Sequence, residues 1–143
     1  MTVYIASDHA GFTLKKLIIN DLNEKGYPVI DMGTSSATES VDYPDFAHAV
    51  VDALEMEPSA QGILICGTGI GMSIAANRFS HIRAALCHSD HDARAARQHN
   101  NANILCLGER TTDKDRALDF VHTFLTTPFD KGRHQQRLEK IKC

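Results

Sequence analysis

Apolar residues along this chain keep changing their spacing. A short apolar run is followed by a stretch with apolar positions three and four apart, and the alternation repeats five times. Residues 2–6, "TVYIA", predict a first strand. Leu14, Leu17, Ile18 and Leu22 predict a helix over 11–25, which Gly26 ends. "YPVID" at 27–31 predicts a second strand, and "GTSSATESVDYPD" after it carries turn chemistry throughout. Phe46, Val50, Ala53 and Leu54 share one face of a helix over 45–56. "GILIC" at 62–66 reads as a buried strand, with a helix starting near Gly71. "IRAALC" at 82–87 is a fourth strand, followed by a helix that Ser89 or Asp90 can cap. "NILCLG" at 103–108 is the fifth. Ala117, Phe120, Val121 and Phe124 line the next helix, Pro128 closes it, and "GRHQQRLEKIKC" predicts a charged helix at the end.

Strands alternating with helices at this spacing predict an α/β fold with a parallel sheet covered on both faces. Ligand sites in such sheets lie at the carboxyl ends of the strands. That rule selects Asp8 and His9, the loop after Asp31, the stretch Cys66–Gly71, His88–His91, and Glu109 with Arg110. The pattern shows no repeat and no linker, so 1–143 reads as a single domain.

Composition narrows the classes. The chain has 143 residues, 43% hydrophobic and 23% charged, which is ordinary for a globular domain. The net charge of -3 recruits neither nucleic acid nor an acidic membrane. No apolar run approaches a membrane span, and the first residues enter a strand directly rather than a signal peptide. The four cysteines, at 66, 87, 106 and 143, form no CxxC pair and read as reduced thiols of a cytoplasmic protein. Cys87 and Cys106 are expected in the core, and Cys143 to fray at the chain end.

Candidate chemistry concentrates in "CGTGIG", 66–71. The glycines follow a GxGxG pattern with Met72 next, so this is not a dinucleotide fingerprint, and no lysine makes it a Walker loop. Two readings stay open for the turn: a tight connection, or a nest of backbone N–H groups that attracts an anion. Two stay open for Cys66 as well. It is a buried inert thiol, or a thiol whose anion the helix terminus favours, serving as base or nucleophile beside an oxyanion hole. Thr68 relays a proton or fills space. "GRHQQR" places Arg133 and Arg137 four apart on one helical face, either a phosphate clamp or a solvated surface. "HSDHD" at 88–92 is too loosely spaced for a metal site and reads as a polar helix start.

Five motifs occur in order: "SDHAGF", "DYPD", "CGTGIGMSIAAN", "RQHNNAN" and "GRHQQR". On these the chain resembles the type B ribose-5-phosphate isomerases, a family that includes galactose-6-phosphate and allose-6-phosphate isomerases. The resemblance spans nearly the whole chain. It implies a Rossmann-like α/β/α sandwich, a five-stranded parallel sheet with a C-terminal helix, and a homodimer whose active sites are shared. Pairing of dimers into a tetramer stays open. It also implies interconversion of an aldose and a ketose phosphate through an enediolate, with no metal and no cofactor.

By match to the family's motifs, Cys66 is the base that moves a proton between C1 and C2, and Thr68 handles the hydroxyl proton. The amides of Gly67, Gly69, Gly71 and Ser73 form the anion hole. Asp8 and His99 bind and open the sugar ring, with Asn100 beside them. His9, Arg110, Arg133 and Arg137 hold the phosphate, His134 lies in the same motif, and Tyr43 lines the site. A hexose 6-phosphate (allose or galactose) is the nearest alternative substrate. A phosphosugar-binding regulatory module is another alternative, although it has no use for Cys66, Thr68, Asp8 and His99 together. A cysteine hydrolase or redox enzyme lacks a resolving cysteine and leaves the arginines unexplained.

Overall fold

Among the described residues, five strands and six helices alternate as the sequence pattern predicts. The computed structural model describes residues 1–141; Cys143 lies outside the described residues. In chain order the elements are β1 (Val3–Ser7), a 3-10 turn at His9–Gly11, α1 (Phe12–Glu24), β2 (Val29–Asp31), α2 (Tyr43–Met56), β3 (Gln61–Cys66), α3 (Ile70–Ala76), β4 (Ala84–Leu86), α4 (Asp90–Gln98), β5 (Ile104–Gly108), α5 (Lys114–Thr126) and α6 (Arg133–Glu139). All strand pairs are parallel, in the order β2-β1-β3-β5-β4. The sequence alternation implies the parallel pairing. It does not contain the exchange that puts β5 inside β4.

The period-2 rule sorts the central strands between two cores. Ile63 and Ile65 of β3, with Leu105 and Leu107 of β5, point under α1, α4 and α5, against Leu14, Ile18, Leu22, Ala93, Phe120 and Phe124. Leu64, Cys66, Ile104 and Cys106 point the other way, under α2 and α3, against Val50, Leu54, Met72 and Ala76. Every residue of β3 and β5 is buried, as strands covered on both faces require. The result is an α/β/α sandwich of one domain. Among the described residues no helix is long and apolar enough to cross a membrane.

Three boundaries differ from the sequence pattern. α2 begins at Tyr43, with Pro44 in its first turn, where a missing N–H costs nothing. This moves Tyr43 from loop to helix. β4 is only three residues long, and Ile82 and Arg83 stay outside it. Asn77 grips Ala84 there with two bonds, Nδ2 donating to its carbonyl at 2.9 Å and Oδ1 accepting from its N–H at 2.8 Å. A side chain thus occupies an edge that another strand could otherwise pair with. α6 has seven residues and ends at Glu139, short of the predicted 132–143. The capping expectation holds: Ser89 Oγ accepts from the Asp92 N–H and caps α4.

Candidate active site

Three strand ends meet to build the site. β3 delivers Cys66, whose backbone is tied on both sides. Asp8 N–H donates to the Ile65 carbonyl at 3.2 Å from the β1 end. Glu109 and Arg110 N–H groups donate to the carbonyls of Cys66 and Gly67 at 3.0 and 2.9 Å from the β5 end. Glu109 is also locked by its own carboxylate, which accepts from Leu14 N–H at 2.6 Å in the first turn of α1. The thiol is therefore fixed by its neighbours before any substrate arrives. It is only 5% exposed.

The chain then turns sharply into α3. Gly69 sits at φ 77°, a region that costs side-chain-bearing residues, and caps the helix. This turn aims the Gly69 N–H at Cys66 Sγ, 3.1 Å away. The sulfur thus has a backbone donor against it. Ile70 N–H donates to Thr68 Oγ1 at 3.3 Å, which leaves the exposed Thr68 hydroxyl free to donate its own hydrogen. Gly71 is glycine because the Tyr43 ring covers it: a Cβ there would meet the ring at 2.5 Å.

A cavity of about 410 Å³ opens over this floor, lined by Asp8, Tyr43, Cys66, Gly67, Thr68, Gly71 and Arg110 among others. Asp8 is buried, its carboxylate accepting from Gly11 N–H at 3.1 Å. The Arg110 guanidinium lies over Gly67. His9 stands beside the cavity, Nδ1 accepting from Val41 N–H at 3.2 Å. Two of the four amides expected in an anion hole have other partners. Gly69 N–H serves the thiol, and Ser73 N–H donates to the Gly69 carbonyl at 3.1 Å within α3. A larger surface cleft, about 610 Å³ beside Asp90, Arg116 and His122, lies away from these strand ends, and its Asp90 is already engaged by Arg94 and Thr123.

The remaining expected residues gather at the opposite edge of the sheet. α4 must run back from the carboxyl end of β4 so that β5 can start parallel to it. His99, at the end of α4, and Asn100 are therefore at the amino ends of the strands. His134 stacks on His99 with ring centroids 4.6 Å apart, which brings Arg133 and Arg137 of α6 to the same edge. β3 alone spans six residues, about 20 Å at ~3.3 Å each. No side chain bridges that distance within one chain.

This second cluster is basic. Arg133, Arg137 and His99 are exposed, and among the described residues none of the ion pairs includes Arg110, Arg133 or Arg137. Burial first, then the charges of His99, Arg133 and Arg137, push the His134 imidazole below its ordinary range, with Asp130 opposing. His99, Asp130 and His134 bring possible ligand atoms within 4.8 Å of one another. Yet the two rings lie 14° from parallel, so their lone pairs do not converge, and two guanidiniums load the same place with positive charge. The cluster suits an anion better than a cation.

At 88–92 the polar groups cap their own helix, Asp92 accepting from His88 N–H. The other described thiols are core groups. Burial, then the nearby Asp92 charge, pushes Cys87 up to about 12, and burial raises Cys106 well above the ordinary thiol range. Sequence reading selected Glu109 as a strand-end residue but not its bond to α1, and it missed Lys15 as a support of the site. Lys15 had a signal, since it lies three and seven residues before Ile18 and Leu22 on the apolar stripe.

Known proteins are closely similar to this chain. The Ribose/Galactose Isomerase family profile matches residues 3–141. A putative sugar phosphate isomerase of Rickettsia conorii is 53% identical over 140 residues, covering 98% of this chain and 96% of that protein. The crystal structure of a ribose 5-phosphate isomerase from Thermotoga maritima superposes with a TM-score of 0.96 at 55% identity, over 99% of this chain and 97% of that one. Ribose-5-phosphate isomerase B from Mycoplasma genitalium, solved with bound ribulose-5-phosphate, gives 0.94 at 45% identity, over 98% and 93%. Matched by the family profile over residues 3–141, and by these relatives over nearly its whole length, this chain belongs to the ribose/galactose isomerase family.

Proposed function

We propose that the protein interconverts D-ribose 5-phosphate and D-ribulose 5-phosphate, the aldose–ketose step of the non-oxidative pentose phosphate pathway. One observation carries this reading: a thiol at a strand end, with an N–H aimed at its sulfur, shares one cavity with a buried carboxylate, a free hydroxyl and a guanidinium. Asp8 and His99, with Asn100, open the sugar ring. The Cys66 thiolate takes the proton from C2, and the C–H electrons form the enediolate double bond as the C1 carbonyl oxygen becomes negative. Amides of Gly67 and Gly71 face that oxygen; the first N–H groups of a helix lack intrahelical partners. Thr68 carries the hydroxyl proton from O2 to O1, and the thiol returns its proton to C1. His9, Arg110, Arg133, His134 and Arg137 hold the phosphate, and Tyr43 walls the cavity. A phosphate fixed at the far end orients the reacting carbon, an effect worth several kcal/mol.

The site is shared between two copies. Cys66 and the His99–Arg137 cluster occupy opposite sheet edges, so a two-fold partner has to supply the second set. Reduced thiols at 66, 87 and 106 suit a cytoplasmic enzyme. The test is turnover of ribose 5-phosphate by purified protein with chelator present, beside allose 6-phosphate at equal concentration. Fast, chelator-insensitive pentose turnover is expected. Activity on the hexose alone moves the substrate and keeps the chemistry. Binding of both without turnover overturns the enzyme.

A further inference from the structure

Lys15 is fully buried, an uncommon place for an ammonium group. It lies on the apolar stripe of α1, and the Phe12 ring is 5.3 Å from its Nζ. Nζ donates to Asp31 Oδ1 at 2.7 Å and to the Thr34 carbonyl at 2.5 Å. Asp31 is the last residue of β2, and Thr34 belongs to the start of the long segment between β2 and α2. Asp31 Oδ1 also accepts from Gly33 N–H at 3.0 Å, so the carboxylate and the ammonium shape one turn together.

That turn is bonded directly to the site. Ser7 N–H donates to the Gly33 carbonyl, and Thr34 N–H donates to the Ser7 carbonyl, both at 2.8 Å. Ser7 precedes Asp8. At the far end of the segment, Val41 N–H donates to His9 Nδ1, and two residues later the Tyr43 ring covers Gly71. Segment 32–42 is thus tied to the Ser7–His9 stretch at both its ends, and the ammonium of Lys15 fills the first tie from inside the core.

We propose that Lys15 is a positioning residue for the isomerase site: its buried ammonium, held between Asp31 and the Thr34 carbonyl, fixes segment 32–42 and through it Asp8, His9 and Tyr43. The proposal rests on the roles given to those three residues above. A purely structural ion pair behaves differently, because replacing one with apolar groups of similar volume is often neutral. Here an apolar replacement orphans a loop carbonyl beside the site, and the loop has to shift to find a partner. Cys66 meets this linkage only through the Asp8 N–H bond to the Ile65 carbonyl, and it is held independently from the β5 side. Substrate binding should therefore suffer more than the proton transfer.

The test compares wild type with Lys15→Met, Lys15→Arg, Asp31→Asn and Leu22→Ala. Leu22→Ala is a control that damages the same helix at its other end. Ribose 5-phosphate kinetics, thermal midpoints and amide hydrogen exchange over 32–42 are read for each. Lys15→Met is expected to raise KM roughly tenfold with kcat within about threefold, and to speed exchange in 32–42. Lys15→Arg should recover part of the KM. Asp31→Asn weakens the same tie but keeps an oxygen for Nζ and for Gly33 N–H, so it is the variant read should Lys15→Met not fold, and it should raise KM about threefold with the same exchange pattern. Leu22→Ala should lower the midpoint and leave KM and the segment's exchange unchanged. Wild-type KM and exchange in Lys15→Met overturn the proposal, or in Asp31→Asn should Lys15→Met not fold. A KM change that tracks the midpoint across all variants also overturns it. Wild-type turnover judges the functional reading, and the difference between variants and wild type judges Lys15.

Discussion

The two edges of the sheet are built by different means. At the carboxyl edge, Cys66 and Asp8 are buried on strand ends, and their backbones are bonded to adjacent strands. At the amino edge, His99 ends a helix and Arg133 and Arg137 stand exposed on seven-residue α6, which is held by the buried His134 and Leu138. The difference follows the physics each task demands. Moving a proton between carbon atoms needs a base fixed to within a fraction of an ångström. Holding a phosphate needs positive charge and a guanidinium fork, and both tolerate a looser support.

The largest effect should come from the rigid edge. Cys66→Ala should keep its thermal midpoint and lose kcat by roughly 10²–10⁴-fold, the usual size of a lost general base. Near-wild-type turnover in that variant would remove the thiol from the mechanism. The same variant tests the sharing of sites. When it is unfolded and refolded together with Arg137→Ala, half the dimers are mixed, and each mixed dimer holds one intact site, so kcat/KM, read at substrate below the wild-type KM where Arg137→Ala homodimers contribute little, should return to about a quarter of wild type. No recovery would mean that each chain carries a complete site, against the separation of the two clusters described above.

A smaller effect is expected at the basic edge. Arg137→Ala should raise KM by one to two orders of magnitude, the range of a lost hydrogen bond to a charged group, with kcat changed much less. Arg137→Lys should recover part of it, since a point charge remains without the fork. An equal fall in kcat would place the guanidinium at the reacting carbons and erase the contrast between the edges.

The smallest effect concerns His134. Its folded pKa lies below the unfolded value of about 6.5. The unfolded chain therefore takes up a proton that the folded protein resists. Stability contributed by the neutral ring is complete above about pH 6.5 and is lost as pH falls toward the folded pKa. Melting curves between pH 7.5 and 5 should show a decline that His134→Gln partly flattens. A steeper decline in the variant would mean that the ring is stabilised by its charge, contrary to the basic cluster around it.

The fold was largely legible in the sequence because its elements are strongly periodic. Ile63, Leu64 and Ile65 form an unbroken apolar run, which only a strand buried on both faces explains. The edge strand β4 was overestimated because Ile82 and Arg83 continue an apolar-looking run, whereas the Arg83 N–H donates to the side chain of Asn103, 20 residues further on. The site was legible where backbone turns constrain residue type, as at Gly69. It was not legible where a side chain far along the chain completes it. Nothing near Leu14 announces that Glu109 will cap its helix, 95 residues away. The split of the candidate residues between two edges was equally hidden, because it follows from the direction of α4 relative to the sheet.

The strand order carries one more consequence, for how the chain is made. β4 pairs only with β5, and β5 fills the gap between β3 and β4. A nascent chain that has reached residue 103 therefore exposes β3 as an open edge, and its fourth strand has nothing to pair with. Emergence of Ile104–Gly108 closes both at once. Long-range closure of this kind is slow, and an apolar strand left waiting is prone to sticking to other chains. Emergence of β5, rather than the length of any single element, sets when this sheet becomes safe from aggregation.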